Sequence, residues 1–322
     1  MFSVVAEDIM RPAPRAFALT LAMGIAVCSP DTTAVGRAHA VQQPPLIRAG
    51  IDLVHFDVTV TDKRGTVVEG LTAQDFEVVE KGVRQTVSVF AAGNREAAPD
   101  LHLGILVDIS GSMGDLEFVR RITLDVVNRL PEATDYTLVI VGDEPRVAHF
   151  ARADFAAFIE RVRRLERDDR ESTALWDGFR SYLRVVANQP GRHALVAFTD
   201  GRDTSSSATA QHVLRDLRAL AVTVFGVGFG DAGGSYPGLR LSQIADETGG
   251  VTMFPKGPDQ MAEVHRRIVI ELRSQYSLGY VSTDERRDGQ WRDVKVRLVR
   301  PEHKGLVVRT KDGYFSPRDR TR

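Results

Sequence analysis

Cysteine is almost missing from this chain of 322 residues; Cys28 is the only one. It lies in an N-terminal stretch that reads as a removable leader, so the mature chain holds no thiol. That excludes a disulfide framework, a thiol nucleophile and a Cys-ligated metal centre. An excess of one charge is also lacking: 42 Lys and Arg stand against 43 Asp and Glu, a net charge of −1. Nothing in that balance favours nucleic acid or an anionic membrane. Lysine is absent from 101–230, which argues against a phosphoryl-transfer centre built on an aspartyl nucleophile, because such centres use a nearby Lys. Neither His-Glu-x-x-His nor Gly-x-Ser-x-Gly occurs, so the common metalloprotease and serine hydrolase signatures are missing. His102, His149, His193 and His212 are scattered, and none pairs with a nucleophile by sequence. Internal repeats and low-complexity stretches are not found. What remains, 43% hydrophobic and 26% charged residues, is the composition of a globular protein long enough for two domains or one with an appendage.

The N-terminus has the layout of a secretory signal peptide. Arg11 and Arg15 precede an apolar stretch at 16–28, and Ala38-His39-Ala40 offers a small-residue cleavage site before Val41. The stretch is short of the roughly 20 residues of a membrane span. Glu7 and Asp8 are out of place in a basic n-region, so translation starting at Met10 is an alternative. Ile25-Ala26-Val27-Cys28 faintly resembles a lipoprotein signal, with Val a poor match before the Cys. Cleavage after Ala40 and a secreted or periplasmic destination is the expectation.

Residues 41–98 read as an N-terminal β-segment. Val54, Phe56, Val58 and Val60 alternate with His55, Asp57, Thr59 and Thr61, the period of a half-buried strand. Asp62-Lys63-Arg64-Gly65 turns the chain, and Thr72 caps one short helical turn ending at Asp75. Strands at 76–80 and 84–90 flank Lys81-Gly82 as a hairpin, and 91–99 is a linker. Residues 99–274 alternate apolar runs (101–107, 136–141, 194–199, 222–228) with stripes of helical period. Runs apolar throughout suit strands covered on both faces. The predicted fold is α/β, a doubly wound, mainly parallel sheet that binds ligands beyond the carboxyl ends of its strands. Arg161, Arg163, Arg164 and Arg167 interleave with Glu160, Glu166, Asp168 and Asp169 and read as a solvated helix face. Residues 275–322 return to β-pattern in three short strands, marginal alone. They are expected to pack with 41–98 as an accessory β-sandwich, two separate β-modules being the alternative.

Two of the apolar runs end in aspartate. Asp108-Ile109-Ser110-Gly111-Ser112 follows the first, and Asp200-Gly201 follows the third; Thr173 opens a helical pattern between them. Two carboxylates and three hydroxyls, with no His or Cys among them, are hard oxygen ligands suited to Mg²⁺ or Mn²⁺. Asp108, Ser110, Ser112, Thr173 and Asp200 are therefore the candidate metal ligands. Arg202 and Asp203 lie beside them as polar loop residues.

This set resembles the metal-ion-dependent adhesion site of von Willebrand factor A domains: Asp-x-Ser-x-Ser, a distal Thr and a distal Asp. Glu171 and Ser172 stand where such domains often carry glycines. The resemblance implies a Rossmann-like fold at 99–274, metal contact by Ser110, Ser112 and Thr173, and Asp108 and Asp200 acting directly or through water. It also implies Mg²⁺-dependent binding of a protein partner that offers a Glu or Asp carboxylate; the balanced charge and the missing catalytic motifs add the expectation of no nucleic acid and no catalysis. Val58 to Asp62, Gly-Leu-Thr-x-x-Asp-Phe at 70–76 and Tyr-x-Leu-Gly-Tyr at 276–280 make the chain similar to secreted bacterial proteins with an acidobacterial-type von Willebrand A-related domain. Competing readings are a structural envelope module with a vestigial metal site and, less favoured, a metal-dependent hydrolase.

Overall fold

Three sheets organise the described residues, one mainly parallel and two antiparallel. The computed structural model describes residues 53–318 apart from 94–98, 114–115, 131, 169, 171, 230–235 and 257. The leader expected at 1–40 lies outside the described residues, as does most of the linker expected at 91–99. No described helix is long and apolar enough to cross a membrane.

Before the α/β domain come β1 (Leu53–Thr61), a 3-10 turn (Ala73–Asp75), β2 (Phe76–Glu80), β3 (Val83–Gln85) and β4 (Val87–Ala92). The α/β domain follows as β5 (Leu101–Asp108), α1 (Leu116–Asn128), β6 (Asp135–Val141), β7 (Arg146–Ala151), α2 (Phe155–Arg163), α3 (Leu175–Val186), β8 (Arg192–Thr199), α4 (Ala210–Leu220), β9 (Val222–Gly228), α5 (Tyr236–Glu247), β10 (Val251–Met253) and α6 (Pro258–Ser274). Four strands close the chain: β11 (Tyr276–Val281), β12 (Trp291–Leu298), β13 (Val307–Arg309) and β14 (Gly313–Phe315).

The central sheet runs β10-β9-β8-β5-β6-β7. Every pairing is parallel except β6 with β7. Burial on both faces explains why β5, β6, β8 and β9 are apolar almost throughout. Leu116, Val119, Ile122 and Val126 of α1, Phe158 and Val162 of α2, and Met261, Val264, Ile268 and Leu272 of α6 cover one face. Leu175, Phe179 and Leu183 of α3, Val213 and Leu217 of α4, and Leu241 and Ile244 of α5 cover the other. From β5 the chain moves outward to β6 and β7, then returns to place β8 on the opposite side of β5. That reversal opens a crevice beyond the carboxyl ends of β5 and β8, where ligands of such sheets bind.

The remaining eight strands form a sandwich. One sheet runs β13-β1-β11-β4 and the other β14-β12-β2-β3. Each takes two strands from before the α/β domain and two from after it. Phe56, Val58, Val78, Leu278, Tyr280 and Val294 fill the space between the sheets. The N- and C-terminal segments thus build one accessory sandwich around a common core.

Three local expectations need correction. The hairpin around Lys81-Gly82 is present but its second arm ends at Gln85: β3 pairs with β2 in one sheet, whereas β4 pairs with β11 in the other. Hydrophobic alternation continues across Thr86 and so hides the change of sheet. The polar face of β1 is not solvated, because Thr59 and Thr61 are buried and the Asp57 side chain is 6% exposed. The Arg192 guanidinium lies 3.1 Å from Asp57, and Gln275 donates to the Thr59 hydroxyl at 3.4 Å, so the base of the α/β domain covers that face. Finally, the closing segment has four strands rather than three, and β7 and β10 went unread. The latter are edge strands, too short or too exposed to give an apolar run.

Candidate metal site

Asp108 is the last residue of β5, where an apolar strand ends at the crevice. Its side chain is fully buried. One carboxylate oxygen accepts from the Ser110 amide at 3.0 Å, and the other accepts from the Thr199 hydroxyl at 2.9 Å. The first bond is an Asx-type turn that curls the chain back beneath Asp108. Ser110 and Ser112 are thereby brought together, their hydroxyl oxygens 3.2 Å apart. The Met113 amide closes the turn on the Ser110 carbonyl at 3.1 Å.

Asp200 follows β8 directly. Thr199 orients this second loop as well as the first, because its hydroxyl accepts from the Gly201 amide at 3.0 Å while donating to Asp108. Gly201 occupies the left-handed region with φ +81°, a conformation that suits glycine. Asp200 accepts from the Arg202 amide at 3.0 Å, and the exposed Arg202 guanidinium lies 3.6 Å from its other oxygen.

Thr173 lies in the loop before α3 and is 2% exposed. Its backbone is tied to the loop after Asp200. The Thr173 amide donates to the Thr204 hydroxyl at 2.8 Å, and the Thr204 amide returns a bond to the Thr173 carbonyl at 2.8 Å. The next amide, of Ala174, donates to Gly142 beyond β6 at 2.8 Å, and Ile109 donates to Val141 at 2.9 Å. All five sequence-predicted residues therefore lie in loops interlocked at one end of the sheet. Side-chain bonds join Ser110 to Ser112 and to Asp108, and Asp108 is tied to the loop of Asp200 through Thr199.

Burial pushes the Asp108 carboxyl up to about 6, and the nearby charge of Asp200 acts in the same direction against the Ser110 and Thr199 hydrogen bonds. Two neighbouring carboxylates beside the Ser110 and Ser112 hydroxyls are acidic oxygen donors of the kind a hard divalent cation takes. Such an ion would remove the repulsion and favour ionised Asp108.

Thr199, which bonds Asp108 and the Gly201 amide, is a residue of the candidate site that the sequence alone does not single out. As the last residue of an apolar run it looked like strand, although a hydroxyl immediately before Asp200 was available as a signal. Of the flanking residues, Arg202 pairs with Asp200, whereas Asp203 accepts from the Trp176 amide at 3.3 Å near the start of α3. A cleft of about 340 Å³, lined by Trp176, Gly201, Asp203 and Arg240 among others, opens beside this loop. The predicted arginine-rich helix face is only partly a helix. α2 ends at Arg163, and Arg167 lies in the following loop, donating to the Gly111 carbonyl at 3.0 Å.

Among solved structures, the chain is similar to a von Willebrand factor type A protein from Catenulispora acidiphila, with 15% identity over 84% of this chain and 76% of that one, TM-score 0.48. It is also similar to an aerotolerance-related membrane protein from Bacteroides fragilis, with 15% identity over 53% and 98% of the two chains, TM-score 0.45. A third is proximal thread matrix protein 1 from the mussel byssus, solved with a zinc-occupied adhesion motif, with 17% identity over 60% and 49%, TM-score 0.46. No curated protein matches the chain. The family model of the von Willebrand factor type A domain matches residues 102–266, just over half of the sequence. Domains of this family typically mediate protein–protein interaction and often hold a divalent metal at the adhesion motif. With that match covering the sheet from β5 to α6, the chain belongs to the von Willebrand factor type A domain family.

Proposed function

We propose that this protein is a secreted or periplasmic module for Mg²⁺-dependent (or Mn²⁺-dependent) binding of a protein partner. Asp108, Ser110, Ser112, Thr173 and Asp200 would hold the ion. The observation that carries the reading is buried Asp108 beside the charge of Asp200, with the paired Ser110 and Ser112 hydroxyls, at the reversal point of the sheet. When bound, a divalent cation supplies an electrophilic site whose charge two carboxylates roughly balance. An anionic oxygen from a partner Glu or Asp is the natural further ligand for such an ion.

Binding rather than catalysis is also supported by where the histidines lie. His102 and His193 are at the beginnings of β5 and β8, the end of the sheet opposite Asp108 and Asp200. There they are held structurally: His102 contacts Asp135 at 2.7 Å and the Pro190 carbonyl at 2.9 Å, and His193 contacts the Gln189 carbonyl at 3.0 Å. The leader reading places the mature N-terminus at Val41, outside the cytoplasm.

Capture of partners from envelope extract by immobilised mature protein tests the reading. Capture is expected with Mg²⁺, and chelator or Thr173→Ala should abolish or weaken it. A partner whose contacting Glu or Asp is changed to the amide should fail as well, because a neutral amide is a poorer ligand for a hard cation. Capture that survives both chelator and Thr173→Ala would place the function on another surface. N-terminal sequencing of protein from cell fractions tests the destination, and an intact N-terminus in the cytosol would refute it.

A further inference from the structure

Five arginines that are dispersed in sequence line one cleft. Arg146 comes from β7, Arg161 and Arg164 from α2 and its end, and Arg167 and Arg170 from the loop leading to α3. The cleft is about 220 Å³, and Glu166 and Asp168 are the carboxylates in its lining. Some of the positive charge is answered locally. Arg164 bonds Glu160 at 2.7 Å, and Arg170 bonds Asp168 at 3.0 Å and Asp143 at 2.9 Å. The Arg164 pair is solvent-exposed and weakly held, whereas Arg170 is gripped by both oxygens of Asp168 and is answered within the fold. Arg146 and Arg161 are exposed and have no ion-pair partner among the described residues.

The cleft adjoins the metal loop. Arg167 donates to the carbonyl of Gly111, the residue between Ser110 and Ser112, at 3.0 Å. The amide of Asp168 donates to the Ile109 carbonyl at 3.1 Å. One wall of the cleft is therefore bonded to the turn that presents the two serine hydroxyls.

We infer that this cleft is a docking site for an acidic polypeptide segment of the partner, continuous with the metal site. The inference rests on the metal-site reading for its choice of occupant. A segment offering one carboxylate at Ser110 and Ser112 meets, on that side, the exposed guanidinium forks of Arg146 and Arg161. Arginine matches carboxylate geometry with two parallel N–H donors, which a lysine cannot do. Recognition of acidic motifs by arginine clusters is an established binding mode. The partner class that follows is a protein with a run of Asp and Glu, in which one side chain completes the metal site and its neighbours engage Arg146 and Arg161.

A labelled oligo-glutamate peptide, titrated onto the full mature chain by fluorescence anisotropy, tests this. Binding is expected in Mg²⁺, with an oligo-glutamine peptide failing to bind. Arg146→Ala/Arg161→Ala should weaken peptide binding roughly tenfold, a few-fold for each exposed contact. The same variant should keep its Mg²⁺ affinity by calorimetry and its circular dichroism spectrum, since both side chains project into solvent. Unchanged peptide affinity in the double variant overturns the inference; if that binding still needs Mg²⁺ and Thr173, the metal reading stands alone. Binding lost in the double variant but indifferent to chelator and to Thr173→Ala supports the cleft and refutes its coupling to the metal. A sulfated polysaccharide that binds through the same arginines more tightly than the peptide overturns the assignment to a polypeptide.

Discussion

Replacing Arg192 by Met should destabilise the whole folded unit, because this side chain joins the α/β domain to the sandwich. Arg192 opens β8 and is 1% exposed. Its guanidinium lies 3.1 Å from Asp57 of β1 and donates to the Leu272 carbonyl at 3.1 Å and to Gln275 at 2.8 Å. Breaking a buried pair by removing one partner typically costs about 3–5 kcal/mol, since the other charge is left uncompensated. Asp57 would retain His55 at 3.0 Å and the Ser277 hydroxyl at 3.2 Å. It would also keep the field of buried Lys311, which burial holds down to about 8 against the pull of Asp57. The low end, about 3 kcal/mol, is therefore expected. At ~2–4 °C per kcal/mol for a chain of this size, Tm should fall by roughly 6–12 °C.

The deficit should depend on pH with a definite sign. Burial opposes ionisation of Asp57, but Arg192 and His55 outweigh it and hold the carboxyl well below its ordinary value. A depressed carboxyl stabilises the fold above its unfolded pKa, near 4, and the contribution is lost as pH falls toward the folded value. The gap between wild type and Arg192→Met should accordingly be full at pH 7 and narrow below about pH 4. Asp57→Asn in the Arg192→Met background should recover part of the loss, because it removes the orphaned charge. Urea and thermal denaturation followed by circular dichroism measure all of this. A Tm change under ~2 °C for Arg192→Met would refute the reasoning.

Four further outcomes follow from the structure. Thr199→Val keeps the shape but removes the hydroxyl that bridges Asp108 and Gly201, so Mg²⁺ affinity by calorimetry should fall about 10–100-fold, as for loss of an outer-shell partner. Gly250→Ala places a Cβ 1.9 Å from the Val224 carbonyl oxygen on central strand β9; overpacking against backbone should lower stability by about 1–3 kcal/mol or more, read as Tm. Because Asp108 sits at about 6, Mg²⁺ binding must displace a proton at lower pH, and affinity should drop up to about tenfold per pH unit below 6. The same raised carboxyl stabilises the metal-free fold below its unfolded pKa and loses that contribution as pH rises through 6, so Asp108→Asn should raise metal-free stability at pH 7.

Much of this architecture is written in periodicity. The apolar runs at 101–107 and 194–199 announce doubly covered strands because β5 and β8 are covered by helices on both faces. Asp108 and Asp200 mark where those runs meet the crevice. Alternation says which residues share a face, however, and not what covers it. Asp57, Thr59 and Thr61 look solvated in sequence and are buried because Arg192 and Gln275 arrive from more than 130 residues away. The jump between sheets at Thr86 leaves the alternation unbroken, so only pairing partners disclose it. The arginine cleft is illegible for the same reason: Arg146 joins Arg161 and Arg170 through the antiparallel edge formed by β7, a strand with too little apolar character to be read.

Titration of Mg²⁺ into the mature protein and into its Asp108→Ala variant, by isothermal calorimetry at pH 7, tests the central claim most directly. Saturable binding is expected in the wild type, together with a rise in Tm, since a ligand at a hundred times its Kd adds about 2.7 kcal/mol to the folded state. In Asp108→Ala both should disappear while the circular dichroism spectrum is retained, because the apolar strand behind residue 108 is untouched. Equal Mg²⁺ affinity in the two proteins, or no binding by the wild type, would contradict the metal site.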